Sequence, residues 1–152
     1  MLRHPLIRAQ SVFTRRVLSG DLEPVREHMT RLYGVDWSAD LGRADAQREV
    51  FKAFLKFCHA SITGQTGLQP WPVWATQSAL LEGYAKVLTP DLLLREEDLA
   101  EDLPRLARKL GHDAPPIWRG ETEGSDALVD NETRMLCRKA YGRDYDAFGF
   151  AD

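Results

Sequence analysis

The sequence is poor in cysteine and histidine, and each shortage excludes a kind of site. Among 152 residues there are two cysteines, Cys58 and Cys137, too few for the disulfide framework of a small secreted domain or for a four-thiolate zinc site. Both lie in apolar patterns with helical spacing, which favours two free core thiols. His59 has no second ligand at metal spacing, so we predict a helix-surface histidine there and no metal site.

Long hydrophobic runs and an excess of positive charge are also missing. No apolar run approaches the roughly 18 residues that a membrane-spanning helix needs, and arginines at the very start do not fit a secretory signal. This predicts no membrane span and a cytoplasmic protein. With 20 basic and 23 acidic side chains the net charge is −3, which argues against a nucleic-acid partner.

What the sequence does have is enough apolar material for a core. Hydrophobic residues make up 43% of the chain, far from the composition of a disordered protein, and the length predicts one domain over residues 1–152. Helical periodicity dominates, most strongly over residues 47–61. We expect further helices from Pro5 onward and over 21–33, 75–81, 97–110 (kinked, or split into two short turns, at Pro104) and 131–141, a long loop over 112–128, and one convincing strand over 91–95.

The first residues carry the most informative spacing in the chain. Pro5 suits the first turn of a helix and favours extended backbone before it. Arg8, Ser11 and Arg15 then share one helix face. Arg3 at the end of an extended segment, a helix N-terminus and a hydroxyl one turn further on form a pocket suited to a dianionic phosphate.

The distribution of charge fits such a pocket. Residues 1–20 hold four arginines and no acid, whereas the rest of the chain has 16 basic and 23 acidic side chains, or −7. This asymmetry favours one local anion site. The alternative is a solvated arginine face on an amphipathic helix whose other face packs in the core through four apolar residues, Leu6, Ala9, Phe13 and Val17.

The string Arg3-His4-Pro5-x-x-Arg8-x-x-Ser11 resembles the R-D-P-x-x-R-x-x-S segment of sulfotransferases that use 3′-phosphoadenylyl sulfate. In that family the arginine and the serine hold the 3′-phosphate of the donor. The resemblance therefore implies Arg3 and Ser11 as ligands of the donor, with Arg8 as a support. His4 stands where the family usually has an acid.

Three later segments are similar to the same family, particularly to its Golgi-type carbohydrate branch and bacterial relatives. Residues 90–99 resemble a strand, R-x-E-x-L and a helix; residues 74–77 resemble part of H-W-x-P-Q, with Val73 in place of the histidine; residues 141–150 resemble Y-x-x-D-x-x-x-F-G-Y. The resemblance implies an α/β fold: the C-terminal portion of a P-loop-like sulfotransferase, mainly helical here, with one or two parallel strands.

The family's P-K-x-G-T loop, which cradles the 5′-phosphosulfate, does not occur in these 152 residues. The residue thought to deprotonate the acceptor usually lies upstream of the matched segments. The resemblance thus implies a truncated or split sulfotransferase that retains the 3′-phosphate site, takes a small-molecule or carbohydrate acceptor, and associates with itself or with a complementing N-terminal fragment. No catalytic residue is assigned. The alternative is a non-catalytic helical remnant or interaction protein.

Two further groups of residues allow two interpretations each. Glu96, Glu97 and Asp98 form an acidic cluster that could do acid–base work or could favour the start of a helix. The tryptophans in or beside the predicted loops could line an acceptor groove or cap the core (Trp71, Trp74 and Trp118).

Overall fold

The structure is a computed structural model that describes residues 1–112 and 125–151. These residues form six α-helices: α1 (Pro5–Val12), α2 (Glu23–Tyr33), α3 (Ala44–Ile62), α4 (Gln77–Ala85), α5 (Leu99–Lys109) and α6 (Asn131–Phe148). A π-helical turn, Phe13–Val17, continues α1 directly, and 3-10 turns at Glu96–Asp98 and Asp126–Leu128 precede α5 and α6. None of the described helices is long and apolar enough to cross a membrane.

The predicted α/β fold class is wrong for the described residues, which contain no sheet. The strand predicted over 91–95 is reduced to one isolated parallel bridge between Leu2 and Arg95. A parallel strand needs apolar layers on both of its faces, whereas Leu92 and Leu93 are 53% and 43% exposed. After the bridge, the chain turns at once into the 3-10 turn Glu96–Asp98. The leucine run therefore has strand-like composition without the pairing or cover that a sheet requires.

The core is built around α3, as its periodicity predicts. Phe51, Phe54 and Phe57 of this helix are fully buried, and the ring of Phe13 lies 5.2 Å from that of Phe51. The helix begins at Ala44, three residues before the predicted start. Since α6 packs along α3, these two helices form the centre of the molecule.

Both cysteines are buried and free, as predicted. Burial raises the pKa of the Cys58 thiol and of the Cys137 thiol to about 12. Because a thiol must ionise to act as a nucleophile or metal ligand, these two behave as core side chains at neutral pH.

Helix ends follow local signals in some places and tertiary contacts in others. Gly34, at φ 65°, ends α2 after Tyr33, the predicted last residue, but the helix begins at Glu23, two residues after the predicted start. Pro104 lies inside α5 without dividing it. The last helix does not stop at Tyr141: the backbone leaves helical geometry there (φ −117°, ψ 22°) and the helix then resumes to Phe148. Most of the loop predicted over 112–128, with Trp118, lies outside the described residues.

Candidate functional site

Residues 1–4 lie where the other three segments that resemble the sulfotransferase family meet. The bridge between Leu2 and Arg95 brings in the segment around residues 94–97. Two hydrogen bonds of 2.7 Å build it, from the Leu2 N–H to the Leu94 carbonyl and from the Glu96 N–H to the Leu2 carbonyl. We call the meeting place of residues 1–4, 74–77, 94–97 and 141–151 the junction.

Arg3 is held at both its main chain and its side chain. Its N–H donates to Gln77 Oε1 at 2.8 Å, and Gln77 Nε2 donates to the Arg3 carbonyl, also at 2.8 Å. Its guanidinium pairs with the Glu96 carboxylate, and the two side chains are 22% and 19% exposed. The predicted phosphate ligand is therefore held by contacts, partly buried and still open to solvent.

Asp144 of α6 fixes the start of α4. It is fully buried, and its two carboxylate oxygens accept the N–H groups of Gln77 at 2.7 Å and Ser78 at 2.9 Å. The first N–H groups of a helix have no partner within the helix, and the positive end of the helix dipole favours a carboxylate there. Thr76 completes the cap by accepting the Ala79 N–H at 3.2 Å.

His4 caps α1 in the position where the family usually has an acid. Its Nδ1 accepts the Leu6 N–H at 3.2 Å, so its Nε2 carries the proton and donates to the Ala151 carbonyl at 2.9 Å. Its ring meets the rings of Tyr145 and Phe150 edge-on at 5.5 Å. A neutral imidazole thus does the capping and also ties α1 to the chain after α6.

Arg95 closes the other side of the junction. Its guanidinium donates to the Phe148 carbonyl at the end of α6 and lies 4.8 Å from the centre of the Phe150 ring. Gly149 makes the turn between Phe148 and Phe150, with φ 63°. A Cβ at this position would lie 3.4 Å from the Arg95 guanidinium. The positive φ at this turn is therefore the reason that glycine suits the position.

The Arg8 side chain bonds to two main-chain carbonyls before α4. Its guanidinium donates to the carbonyls of Pro72 at 2.5 Å and Ala75 at 2.6 Å, which fastens the segment before α4 to α1. Ser11 lies on the same face, one turn further on, and is partly exposed. The opposite face is buried as predicted, through Leu6, Ala9, Phe13 and Val17. The roles of Arg3, Arg8 and Ser11 toward a phosphate stay predictions.

The structure divides Trp71 and Trp74 between their two interpretations, and it gives two of the clustered acids arginine partners. Trp74 caps the core: it is 4% exposed and meets Phe57 edge-on at 5.8 Å. Trp71 stacks on Trp74 at 5.8 Å and remains 58% exposed, so it presents an aromatic surface to solvent. Glu96 pairs with Arg3, whereas Glu97 pairs with Arg95 at 2.9 Å.

Two organising residues of the junction, Gln77 and Asp144, have no predicted individual role. Each occupies the place of a letter in a family-like segment, and that position is the signal that could have found them. Tyr141, from the same segment as Asp144, reinforces the contact, since its hydroxyl donates to the Trp74 carbonyl at 3.1 Å.

Comparison with known proteins finds no counterpart: no family model matches the chain, and no curated protein and no solved structure matches it. Within residues 1–112 and 125–151, no group of three or more histidines, cysteines or acids could hold a metal ion.

Proposed function

We propose that this protein acts in sulfuryl transfer from 3′-phosphoadenylyl sulfate and that Arg3 and Ser11 bind the 3′-phosphate of the donor, with Arg8 fastening the neighbouring segment. One observation carries the proposal: the segments that resemble the family are far apart in the sequence and meet around residues 1–4. Gln77 reaches Arg3 across 74 positions, and Tyr141 reaches Trp74 across 67.

The contacts are made by the residues on which the resemblance depends. Gln77 ends the segment similar to H-W-x-P-Q, Arg95 opens the segment similar to R-x-E-x-L, and Asp144 holds the position of the acid in the last segment. Each forms a hydrogen bond to another of the resembling segments: Gln77 to Arg3, Arg95 to Phe148, and Asp144 to Gln77. If the likeness of these four short segments to the family were due to chance, there would be no reason for them to contact one another in the folded protein. Their contact therefore supports the proposal.

The chemistry of the site suits a dianion. Arg3 offers a charged donor, the first turn of α1 carries no acid, and Ser11 adds a hydroxyl, a combination typical of phosphate binding. Glu96 is the opposing charge, and it keeps Arg3 neutralised before a ligand arrives. We propose no metal in this function.

The transfer itself would move a sulfuryl group to an acceptor hydroxyl or amine, on a small molecule or a carbohydrate, in the cytoplasm. The family's loop for the 5′-phosphosulfate does not occur among these 152 residues. Electrostatic stabilisation of the transferring group is usually the largest catalytic term. We therefore expect these residues to bind the nucleotide, and turnover to need a complementing fragment.

Calorimetry with adenosine 3′,5′-bisphosphate tests the proposal. A charge-assisted hydrogen bond contributes about 1.5–3 kcal/mol, so Arg3→Ala should weaken binding at least roughly tenfold. Arg134→Ala is the matched control, because it removes the same charge from an exposed position on α6. Equal affinity of the wild type and Arg3→Ala would remove the assignment, and an equal loss in Arg134→Ala would reduce it to a general effect of charge.

One observation favours the alternative of a non-catalytic interaction protein. The segment after α4 exposes several apolar side chains, among them Val87 at 91% and Leu88 at 76%. Apolar surface of this kind is typical of contacts between proteins, including self-association. The same calorimetry separates the two candidates, since a wild type that binds no nucleotide would leave only the interaction role.

A further inference from the structure

The side chain of Gln77 contacts Arg3 in the way a neighbouring strand would. It accepts the N–H and donates to the carbonyl of the same residue, both at 2.8 Å, which is the exchange found in a hydrogen-bonded pair of an antiparallel ladder. On the other side of the chain, Leu2 pairs with residues 94–96. Gln77 thus completes the hydrogen bonding of a segment that has no second strand beside it in the described residues.

Gln77 is itself held in place. Its side chain is buried, at 7% residue exposure, and its own N–H donates to the buried carboxylate of Asp144 at 2.7 Å. The position of the Arg3 main chain is therefore fixed through Gln77 by a residue in the second half of α6.

We propose that Gln77 is a positioning residue for the anion site at Arg3. The direction of the Arg3 side chain depends on its main chain, which Gln77 holds, while Glu96 holds the guanidinium. Affinity for a 3′-phosphate then depends on Gln77, although Gln77 does not touch the phosphate. The inference rests on the proposed function. The experiment below distinguishes a failure of the positioning role from a failure of the proposed function.

Gln77→Met is the informative substitution, because it keeps the length of the side chain and removes both hydrogen bonds. Gln77→Leu also removes both hydrogen bonds and adds no charge beside the anion site, so it carries the same test if the first variant does not fold. Gln47→Met is the matched control: Gln47 Nε2 donates to the Leu41 carbonyl at 2.6 Å, away from the junction.

The measurement is the ratio of the affinities for adenosine 3′,5′-bisphosphate and adenosine 5′-monophosphate, which differ only in the 3′-phosphate. We expect the wild type and Gln47→Met to prefer the bisphosphate by about tenfold, and Gln77→Met to lose most of that preference. In an Arg3→Ala background, Gln77→Met should change the ratio no further, since residues that act together are not additive. A purely structural role would lower both affinities in both backgrounds.

The outcomes separate the two proposals. If Gln77→Met keeps the wild-type ratio while Arg3→Ala loses it, the positioning role is wrong and the proposed function stands. If Gln77→Met lowers the ratio equally with and without Arg3, the positioning role is wrong as well. If the wild type does not distinguish the two nucleotides, the proposed function fails and the positioning role fails with it.

Discussion

The two ends of α6 both rely on charged side chains, but they use them in different ways. At the first end the Lys52 ammonium lies 2.8–3.0 Å from Glu49, Asp130 and Glu132, whose side chains are 72%, 32% and 55% exposed. At the second end Asp144 is fully buried and bonds only to main-chain N–H groups of α4 among its described hydrogen bonds. The first end is an ionic cluster in contact with water, and the second is an anchor for another helix.

The comparison indicates that the environment of a charged side chain determines how much stability is lost when the side chain is removed. Ion pairs whose partners are exposed contribute little, because water solvates each charge when the pair is broken. A buried carboxylate that satisfies two helix N–H groups leaves both of them without partners when it is removed. We therefore expect the junction to be more sensitive to substitution than the cluster around Lys52.

The largest effect should follow from Asp144→Ala, which removes the two hydrogen bonds that Asp144 accepts at the start of α4. We expect the free energy of unfolding to fall by about 3 kcal/mol, measured by urea denaturation. Asp146→Ala is the control, because Asp146 lies on the same helix, is 71% exposed and pairs with Arg138; it should change stability by less than about 0.5 kcal/mol. Similar losses of stability in the two variants would contradict the expected difference between a buried and an exposed carboxylate on α6.

A smaller effect should follow from Lys52→Met, which keeps the packing of the stem and removes the ammonium. The three carboxylates around it can be solvated, so we expect a loss of about 1 kcal/mol at low salt and a smaller loss in 1 M sodium chloride, where screening is strong. Urea denaturation at the two salt concentrations measures it. A loss as large as that of Asp144→Ala, unchanged by salt, would show that the cluster is also an anchor.

The smallest effect should be a dependence on pH at Asp130. Its hydrogen bond from the Thr133 N–H, at 2.8 Å, and its contact with Lys52 hold the pKa of this carboxyl below its usual value. The unfolded chain then takes up the proton at a higher pH than the folded protein does, so the stabilisation is present above about pH 5 and is lost as pH falls.

Asp130→Asn isolates this contribution. The difference in unfolding free energy between the wild type and the variant should shrink as the pH is lowered from about 7 to about 3. A difference that stays constant over this range would mean that the ionised form of Asp130 is not the one stabilised in the folded protein.

The two ends of α6 also differ in how far the sequence predicts them. The start at Asn131 follows from local residues, and the structure confirms it, with a capping box between Asp130 and Thr133. The end predicted at Tyr141 is wrong, because tertiary contacts of Asp144 and Tyr145 hold another turn or two of helix beyond the bend. Local propensity describes the first kind of boundary and carries no information about the second.

The fold class and the site also have features that the local sequence predicts and features that depend on tertiary contacts. A short run of leucines before Arg95 has the composition of a strand, but only pairing makes a sheet, and Arg95 alone pairs. Spacing along one helix was enough to group Arg8 and Ser11 on one face. It could not reveal that Gln77 would reach Arg3, since that contact depends on the path of the chain between them.

The bend at Tyr141 has a consequence for how the sequence of α6 can vary. Before the bend, Cys137 and Ala140 are buried in the core, so substitutions there are limited by volume. After it, Asp144 is limited by the hydrogen bonds that α4 requires. Because Tyr141 interrupts the regular helix between the two halves, a small shift in one need not rotate the other. Substitutions before the bend are therefore limited by core volume, and substitutions after it by hydrogen bonding to α4, independently of each other.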